Sequence, residues 1–176
     1  MTEQDSAPNV RRASIEDAKL LTELGARTFV ETFAEENSPE DMAAYLADSF
    51  NVGRLTEELT DPLSVFLVAE VEGSAAGYAK LHPGHVSDGV KGQRPIELVR
   101  LYVSKEWLGR GVGQALMRRC VEEARGLGFQ TIWLGVWERN RRAQAFYRKW
   151  DFEEVGEHIF QLGSDPQRDI VMQRAV

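Results

Sequence analysis

Between Leu108 and Gly113 the chain reads Leu108-Gly109-Arg110-Gly111-Val112-Gly113, and no other segment constrains the fold as much. Before it lies Ile96-Glu97-Leu98-Val99-Arg100-Leu101-Tyr102-Val103, an apolar run that predicts a strand. After it Ala115, Leu116, Cys120 and Val121 recur at helical spacing, with Arg118, Arg119, Glu122 and Glu123 on the polar side. Glycines at such a strand-to-helix turn let backbone N–H groups come close to a ligand. The start of a helix adds the positive end of its dipole. Together they make an anion cradle, usually for phosphate.

The glycines alone also fit a tight connection with no ligand. Two well-known phosphate loops are excluded. A Walker loop requires Gly-Lys-Ser/Thr, and Val112-Gly113-Gln114 stands here instead. A dinucleotide turn follows the first strand of its unit and is answered by an acid about 20 residues on. Here the turn lies past mid-chain, and the next strand, Thr131 to Trp137, carries no acid before Glu138.

A second constellation narrows the reading. Thr131-Ile132-Trp133-Leu134-Gly135-Val136-Trp137 reads as a strand, Glu138-Arg139-Asn140 as a turn, and Arg141 to Lys149 as a helix containing Ala143, Phe146 and Tyr147. Asp151-Phe152 then opens another strand. From Glu97 to Phe152 this order resembles the GNAT superfamily of acetyl-CoA-dependent N-acetyltransferases. Phe29-Val30-Glu31-Thr32-Phe33, Asn37-Ser38-Pro39-Glu40-Asp41-Met42 and Tyr45-Leu46 resemble its PaiA-like branch, linked to polyamine N-acetylation.

The resemblance implies an α/β fold in one domain over residues 1–176. Its sheet would be mixed, mostly antiparallel and six- to seven-stranded, with a central splayed parallel pair and flanking helices. Acetyl-CoA is the implied co-substrate. Backbone groups of Leu101, Tyr102 and Val103 would pair with its pantetheine arm. The amides of Leu108, Gly109, Arg110, Gly111, Val112 and Gly113 would surround its pyrophosphate, and Asn140, Ala143 and Phe146 would complete the site. Where the family carries Gln or Arg, this chain has Leu108, so only the Leu108 backbone amide is expected to contribute. Asp151 replaces the usual glycine before Phe152, at a position where Asp tolerates left-handed backbone.

Acetyl transfer needs a neutral amine. An alkylammonium has a pKa near 10.4, so about one in 10³ is neutral at pH 7, and removing its proton costs roughly 4–5 kcal/mol. A nearby carboxylate or water is therefore expected to act as base. Glu97 is the first candidate, with Glu31 or a water chain as alternatives. By family position Tyr147 is the general acid for the departing thiolate, and the Val103 N–H would hold the oxyanion. Glu31, Glu35, Glu36 and Asp41, with Glu40 among them, cluster at the first inter-helix connection, where they would draw in a polyamine. Equally, they read as solvated acids at a helix start. The alternatives are a non-catalytic acetyl-CoA-binding module, separable by whether free thiol is released, and an acetyltransferase for another small amine or for a protein N-terminus or lysine.

Charge supports the division of labour. Residues 1–99 carry 8 Lys and Arg against 18 Asp and Glu, while residues 100–150, which hold both motifs, carry 11 against 4. A basic block there biases the field toward a multiply charged anion. A net charge of −7 and the lack of interleaved aromatic and basic residues exclude a nucleic-acid surface. No apolar run reaches membrane-spanning length, and the polar N-terminus shows no leader pattern. The single Cys120 lies on an apolar stripe, which suits a structural thiol in a cytoplasmic protein. The three histidines lack metal-ligand spacing, so metal-independent chemistry is expected. The implied partner is a small-molecule amine, with a homodimer left open.

Strands are expected near 10–13, 65–69, 76–81, 97–103, 129–137, 152–162 and 169–174. Helices are expected from Ser14 to Phe33, from Ser38, over Val52 to Leu59, over Gly111 to Leu127 and over Arg141 to Lys149. His82 to Pro95 reads as a polar loop.

Overall fold

The computed structural model describes residues 6–176; the reading of the first residues as a leaderless start falls largely on residues 1–5, outside them. Strands β1 (Asn9–Arg12), β2 (Val65–Val71), β3 (Ser74–His82), β4 (Pro95–Val103), β5 (Thr131–Trp137), β6 (Glu153–Leu162) and β7 (Asp165–Ala175) form one sheet. Its order is β1-β2-β3-β4-β5-β7-β6. Only β4 and β5 run parallel. A parallel pair needs a crossover, and helix α4 (Val112–Gly126) supplies it from the glycine turn. The α/β fold with one central parallel pair is thus as the sequence predicts.

The helices begin where their caps dictate. Ser14 N–H donates to Asp17 Oδ2 at 2.8 Å, completing a capping box ahead of α1 (Ala18–Phe33). Ser38 Oγ accepts from Asp41 N–H at the start of α2 (Pro39–Ser49), whose first residue is proline. Asn51 does the same for Arg54 at α3 (Val52–Thr60). The last helix, α5 (Arg141–Lys149), opens on Asn140, whose Oδ1 accepts from Ala143 N–H at 3.1 Å.

Two expectations change. β7 begins at Asp165 rather than 169, because Gly163, at φ +57°, closes a tight hairpin with β6. Asp41 secures that turn by accepting from both the N–H and the hydroxyl of Ser164, at 2.7 and 2.8 Å. The 83–94 connection is also more than a polar loop. Lys91 N–H donates to Gln173 Oε1 at 2.9 Å, and a Cβ on Gly89 would lie 2.5 Å from the Val155 carbonyl oxygen. The connection therefore lies flat against β6 and β7.

Each sheet face has its own core. Leu116, Met117 and Cys120 of α4 pack on Leu81, Ile96 and Leu134. Burial pushes the Cys120 thiol pKa upward, so it stays protonated and structural. On the other face Leu21, Leu24, Phe29 and Leu55 cover Phe66, Val68 and Tyr78.

An ion cluster fixes α3 beneath this second core. Arg100 donates to both Glu58 oxygens at 2.7 and 3.1 Å, and Lys80 Nζ donates to Glu58 Oε2 at 2.9 Å. Burial alone would raise the Glu58 pKa, yet its cationic partners hold it low. Removing this carboxylate would leave two cations unpaired at a poorly hydrated site. Glu58→Ala is expected to cost about 3–5 kcal/mol of stability, measured by chemical denaturation.

Candidate active site

β4 and β5 stay paired only briefly. Pro95 registers with Thr131, Ile96 with Ile132 and Glu97 with Trp133, and then the strands part. β4 runs on to Val103 and β5 to Trp137. A cavity of about 910 Å³ occupies the split. It is lined by β4 from Glu97 to Val103 and by the glycine turn, and also by α5, the end of α1 and the β6–β7 sheet edge.

The turn is built for close approach. Gly109 and Gly111 adopt φ of +76° and +81°, and a Cβ on either would meet nothing within 4 Å. Gly111 is the N-cap of α4, so the amides of Val112, Gly113 and Gln114 are first-turn donors without intrahelical partners. Gly109, Gly111, Gly113, Gln114 and the Leu108 side chain line the cavity. One detail departs from expectation. The Leu108 and Arg110 amides are already committed, donating to the carbonyls of Lys105 at 3.3 Å and Trp107 at 3.4 Å. The Arg110 guanidinium lies over the Trp107 ring rather than in the cavity, and the Val112 side chain is buried in the core. Lys105, Arg142 and Lys149 add positive charge to the lining.

α5 brings Asn140, Ala143, Phe146 and Tyr147 to the same cavity. Asn140 spends its carbonyl oxygen on the helix cap, leaving its NH₂ group as the available donor. Tyr147 is buried between Phe146 and Phe152, and burial raises its pKa, so the phenol remains protonated at neutral pH. Leu101, Tyr102 and Val103 line the split along the edge of β4 that has lost β5 as partner.

Aromatic and acidic side chains line the rest of the cavity. Phe29 stacks on Tyr45 at 4.5 Å, Tyr45 meets Phe160 at 5.4 Å, and Phe33 meets Trp137 at 5.7 Å. Glu97 is half-buried here, and that burial raises its pKa. Of the five acids expected to attract an amine, Glu31 and Glu35 line the cavity, and Glu36, Glu40 and Asp41 do not. Glu31 Oε2 accepts from Lys105 N–H at 2.8 Å, which ties α1 to the turn after β4. Glu36 points to Arg139 at 4.0 Å, and Asp41 is consumed by the β6–β7 hairpin. The acidic cluster read from sequence is therefore not one wall: a helical connection sends its acids in different directions.

Sequence reasoning missed three contributors. His158 and Asp169 line the cavity beside Glu97, although they are far from it in the chain. Gln144 donates to the carbonyls of Trp137 and Glu138 at 3.1 and 2.9 Å, locking α5 to the end of β5. Its signal was a buried amide on a helix face, which periodicity alone does not distinguish from a solvated one. Among the described residues, no group of three or more His, Cys, Asp or Glu is arranged to hold a metal ion.

A family model for the acetyltransferase (GNAT) family matches residues 22–152, and the chain belongs to that family. An uncharacterized N-acetyltransferase from the pepI 3′ region of Lactobacillus delbrueckii subsp. lactis is 34% identical, with 94% of this chain and 95% of that protein covered. An uncharacterized N-acetyltransferase of Mycobacterium tuberculosis is 35% identical, with 90% and 97% covered. The crystal structure of the PaiA N-acetyltransferase from Thermoplasma acidophilum in complex with coenzyme A shares the fold. Its TM-score is 0.75 at 21% identity, with 97% of this chain and 99% of that one covered. Family and fold together make this chain a GNAT-type N-acetyltransferase.

The glycine turn yields a paired expectation. Gly111→Ala places a Cβ in left-handed backbone and should cost roughly 1–2 kcal/mol. Gly113 lies inside α4, where a Cβ would approach Phe146 only to 3.5 Å. Gly113→Ala should instead stabilise by about 0.5–1 kcal/mol. Denaturant midpoints for the two variants should move in opposite directions.

Proposed function

We propose that this chain moves the acetyl group of acetyl-CoA onto a small primary amine in a ternary complex in the cytoplasm. We propose further that it is a PaiA-like enzyme whose acceptor is a polyamine such as spermidine or spermine. One observation carries the reading: a single cavity runs through the β4–β5 split, with the glycine turn beyond Val103 at one end of β4 and Glu97 at the other, where the strands part. The first end suits a pyrophosphate and the second an ammonium.

The residues divide accordingly. First-turn amides at Val112, Gly113 and Gln114, with the positive end of α4, hold the pyrophosphate. The unpaired edge of Leu101, Tyr102 and Val103 accepts the pantetheine arm as an added strand, and the Val103 N–H is the oxyanion donor. Asn140, Ala143 and Phe146 close the other side of that arm. Glu97 draws in the ammonium. The lone pair of the neutral amine attacks the thioester carbonyl carbon, and the C–S bond breaks. Tyr147 delivers a proton to the departing sulfur from a phenol that burial keeps protonated. The ring walls suit the methylene segments of a polyamine, while Glu35 and Glu31 flank its charges.

Thiol release with a panel of amines tests the activity directly. Spermidine and spermine should be turned over ahead of neutral or anionic amines, and a wild type that ignores polyamines while acetylating an anionic amine would refute the acceptor. Tyr147→Phe should bind acetyl-CoA in calorimetry as wild type does, yet lose roughly 10²-fold or more in kcat. Unchanged turnover would remove Tyr147 from the chemistry.

The reorganised acid cluster gives a sharper discrimination. Glu35→Gln should raise KM for spermidine several-fold with kcat unchanged, the signature of lost uniform binding. The effect should shrink in high salt. Asp41→Asn, whose carboxylate serves the hairpin, should leave that KM unmoved.

A further inference from the structure

Antiparallel pairing sets His158 of β6 directly opposite Asp169 of β7, and Asp169 directly opposite Trp137 of β5. Residues so paired project from one face of the sheet. His158 Nε2 lies 3.4 Å from Asp169 Oδ2, and His158 Nδ1 lies 3.2 Å from Ser87 Oγ. Ser87 is buried on the 83–94 connection, which presses on this face. Beneath the ring is Gly135, where a Cβ would stand 2.6 Å from His158 Nε2 and 3.1 Å from Asp169 Oδ2. The imidazole occupies this position only because residue 135 has no side chain. Gly135, His158, Asp169 and Glu97 all line the cavity.

We infer that His158 is the catalytic base, taking the proton of the acceptor ammonium at Nε2, while Asp169 steadies the imidazolium and Glu97 anchors the amine. The inference rests on the acetyl-transfer reading above and moves the base from Glu97, where sequence placed it. With its proton on Nδ1, the ring donates to Ser87 Oγ and leaves Nε2 as the unprotonated nitrogen of a cavity-lining residue. A proton arriving at Nε2 then has Asp169 Oδ2 as its acceptor. The amine lone pair so released forms the C–N bond, and the C–S bond breaks. Tyr147 protonates the sulfur, and the second N–H proton of the attacking amine replaces the one Tyr147 gave. One net proton remains on His158 and passes to solvent.

The electrostatic setting agrees with this role. The charged groups acting on His158 are Asp169 from β7 and Glu97 from β4. Around Glu97 stand Lys80 and His82 of β3 and His85 of the 83–94 connection. Lys80 is paired with Glu58 and His82 with Asp61, at 2.9 Å each. The two carboxylates dominate, and Asp169 above all holds the His158 pKa above the ordinary imidazole value. A base with a raised pKa is better matched to an ammonium. His158 and Glu97, both shifted and both lining the cavity, are the kind of pair at which acid–base work concentrates.

The test is the pH dependence of kcat/KM for thiol release with spermidine, or with the best amine of the panel. It is run on wild type, His158→Gln, Asp169→Asn and Glu97→Gln, with calorimetric acetyl-CoA binding as the control for an intact fold. Wild type should rise with pH through a single ionisation above the ordinary imidazole value of about 6.5, because the base must be neutral. His158→Gln should lose that limb and roughly 10²-fold in kcat while binding acetyl-CoA normally. Asp169→Asn should retain the limb but shift it to lower pH, since its carboxylate no longer favours the imidazolium. Ring resonances of His158 followed by NMR titration should move the same way. Glu97→Gln should raise the amine KM with the limb in place. If His158→Gln keeps both turnover and limb, or the limb follows Glu97→Gln alone, the assignment is wrong and acetyl transfer still stands. If wild type binds acetyl-CoA but releases thiol with no amine, the acetyl-transfer reading falls and the assignment with it.

Discussion

The parting of β4 from β5 after Glu97 and Trp133 is the constraint on which the site depends. Backbone donors and acceptors do not stay unpaired in a protein interior without compensation. The structure holds the strands together at one end and apart at the other. At the joined end, Gln130 N–H donates to the Arg94 carbonyl at 3.1 Å and Thr131 Oγ1 to the Gln93 carbonyl at 2.9 Å. At the open end, Phe33 stands between Tyr102 of β4 and Trp137 of β5, with ring centres 6.2 and 5.7 Å away. On the other face Gln144 fixes α5 against the last residues of β5. A register shift between Lys80 and Leu81 in the β3–β4 ladder adds a bend to β4 just past its last pair with β5. The unpaired edge is therefore a maintained feature, and a ligand able to pair with it completes the sheet.

That split also joins two electrostatic regions. The segment after β4 and α5 contribute the glycine turn, Lys105, Arg142 and Lys149, while Glu97 of β4, Asp169 of β7 and His158 of β6 contribute acid and imidazole groups. In the proposed reading a thioester and an ammonium meet at β4.

Some of the site was legible in the chain because it is local. The Leu108–Gly113 turn, the caps at Ser14, Ser38 and Asn51, and the placement of Tyr147 on α5 each depend on residues within a few positions of one another. Short-range backbone rules govern them, and sequence spacing displays those rules. The acid cluster between α1 and α2 failed for the complementary reason. Glu31 caps the turn at Lys105 and Asp41 binds Ser164, partners 74 and 123 residues away. Nothing in the spacing of the acids says which one a distant backbone amide will claim.

Sequence by itself determined most secondary elements, the crossover that makes one pair of strands parallel, and the glycine turn at the start of α4. Periodicity, caps and glycine conformations are properties of neighbouring residues. The tertiary structure alone decided where β4 and β5 part, which acids face the cavity, and that His158, Asp169, Ser87 and Gly135 converge. Ladder register and the folding of the 83–94 connection onto β6 and β7 bring those four together. Contacts between elements of this separation are fixed by shape and burial across the whole domain, which no local pattern encodes.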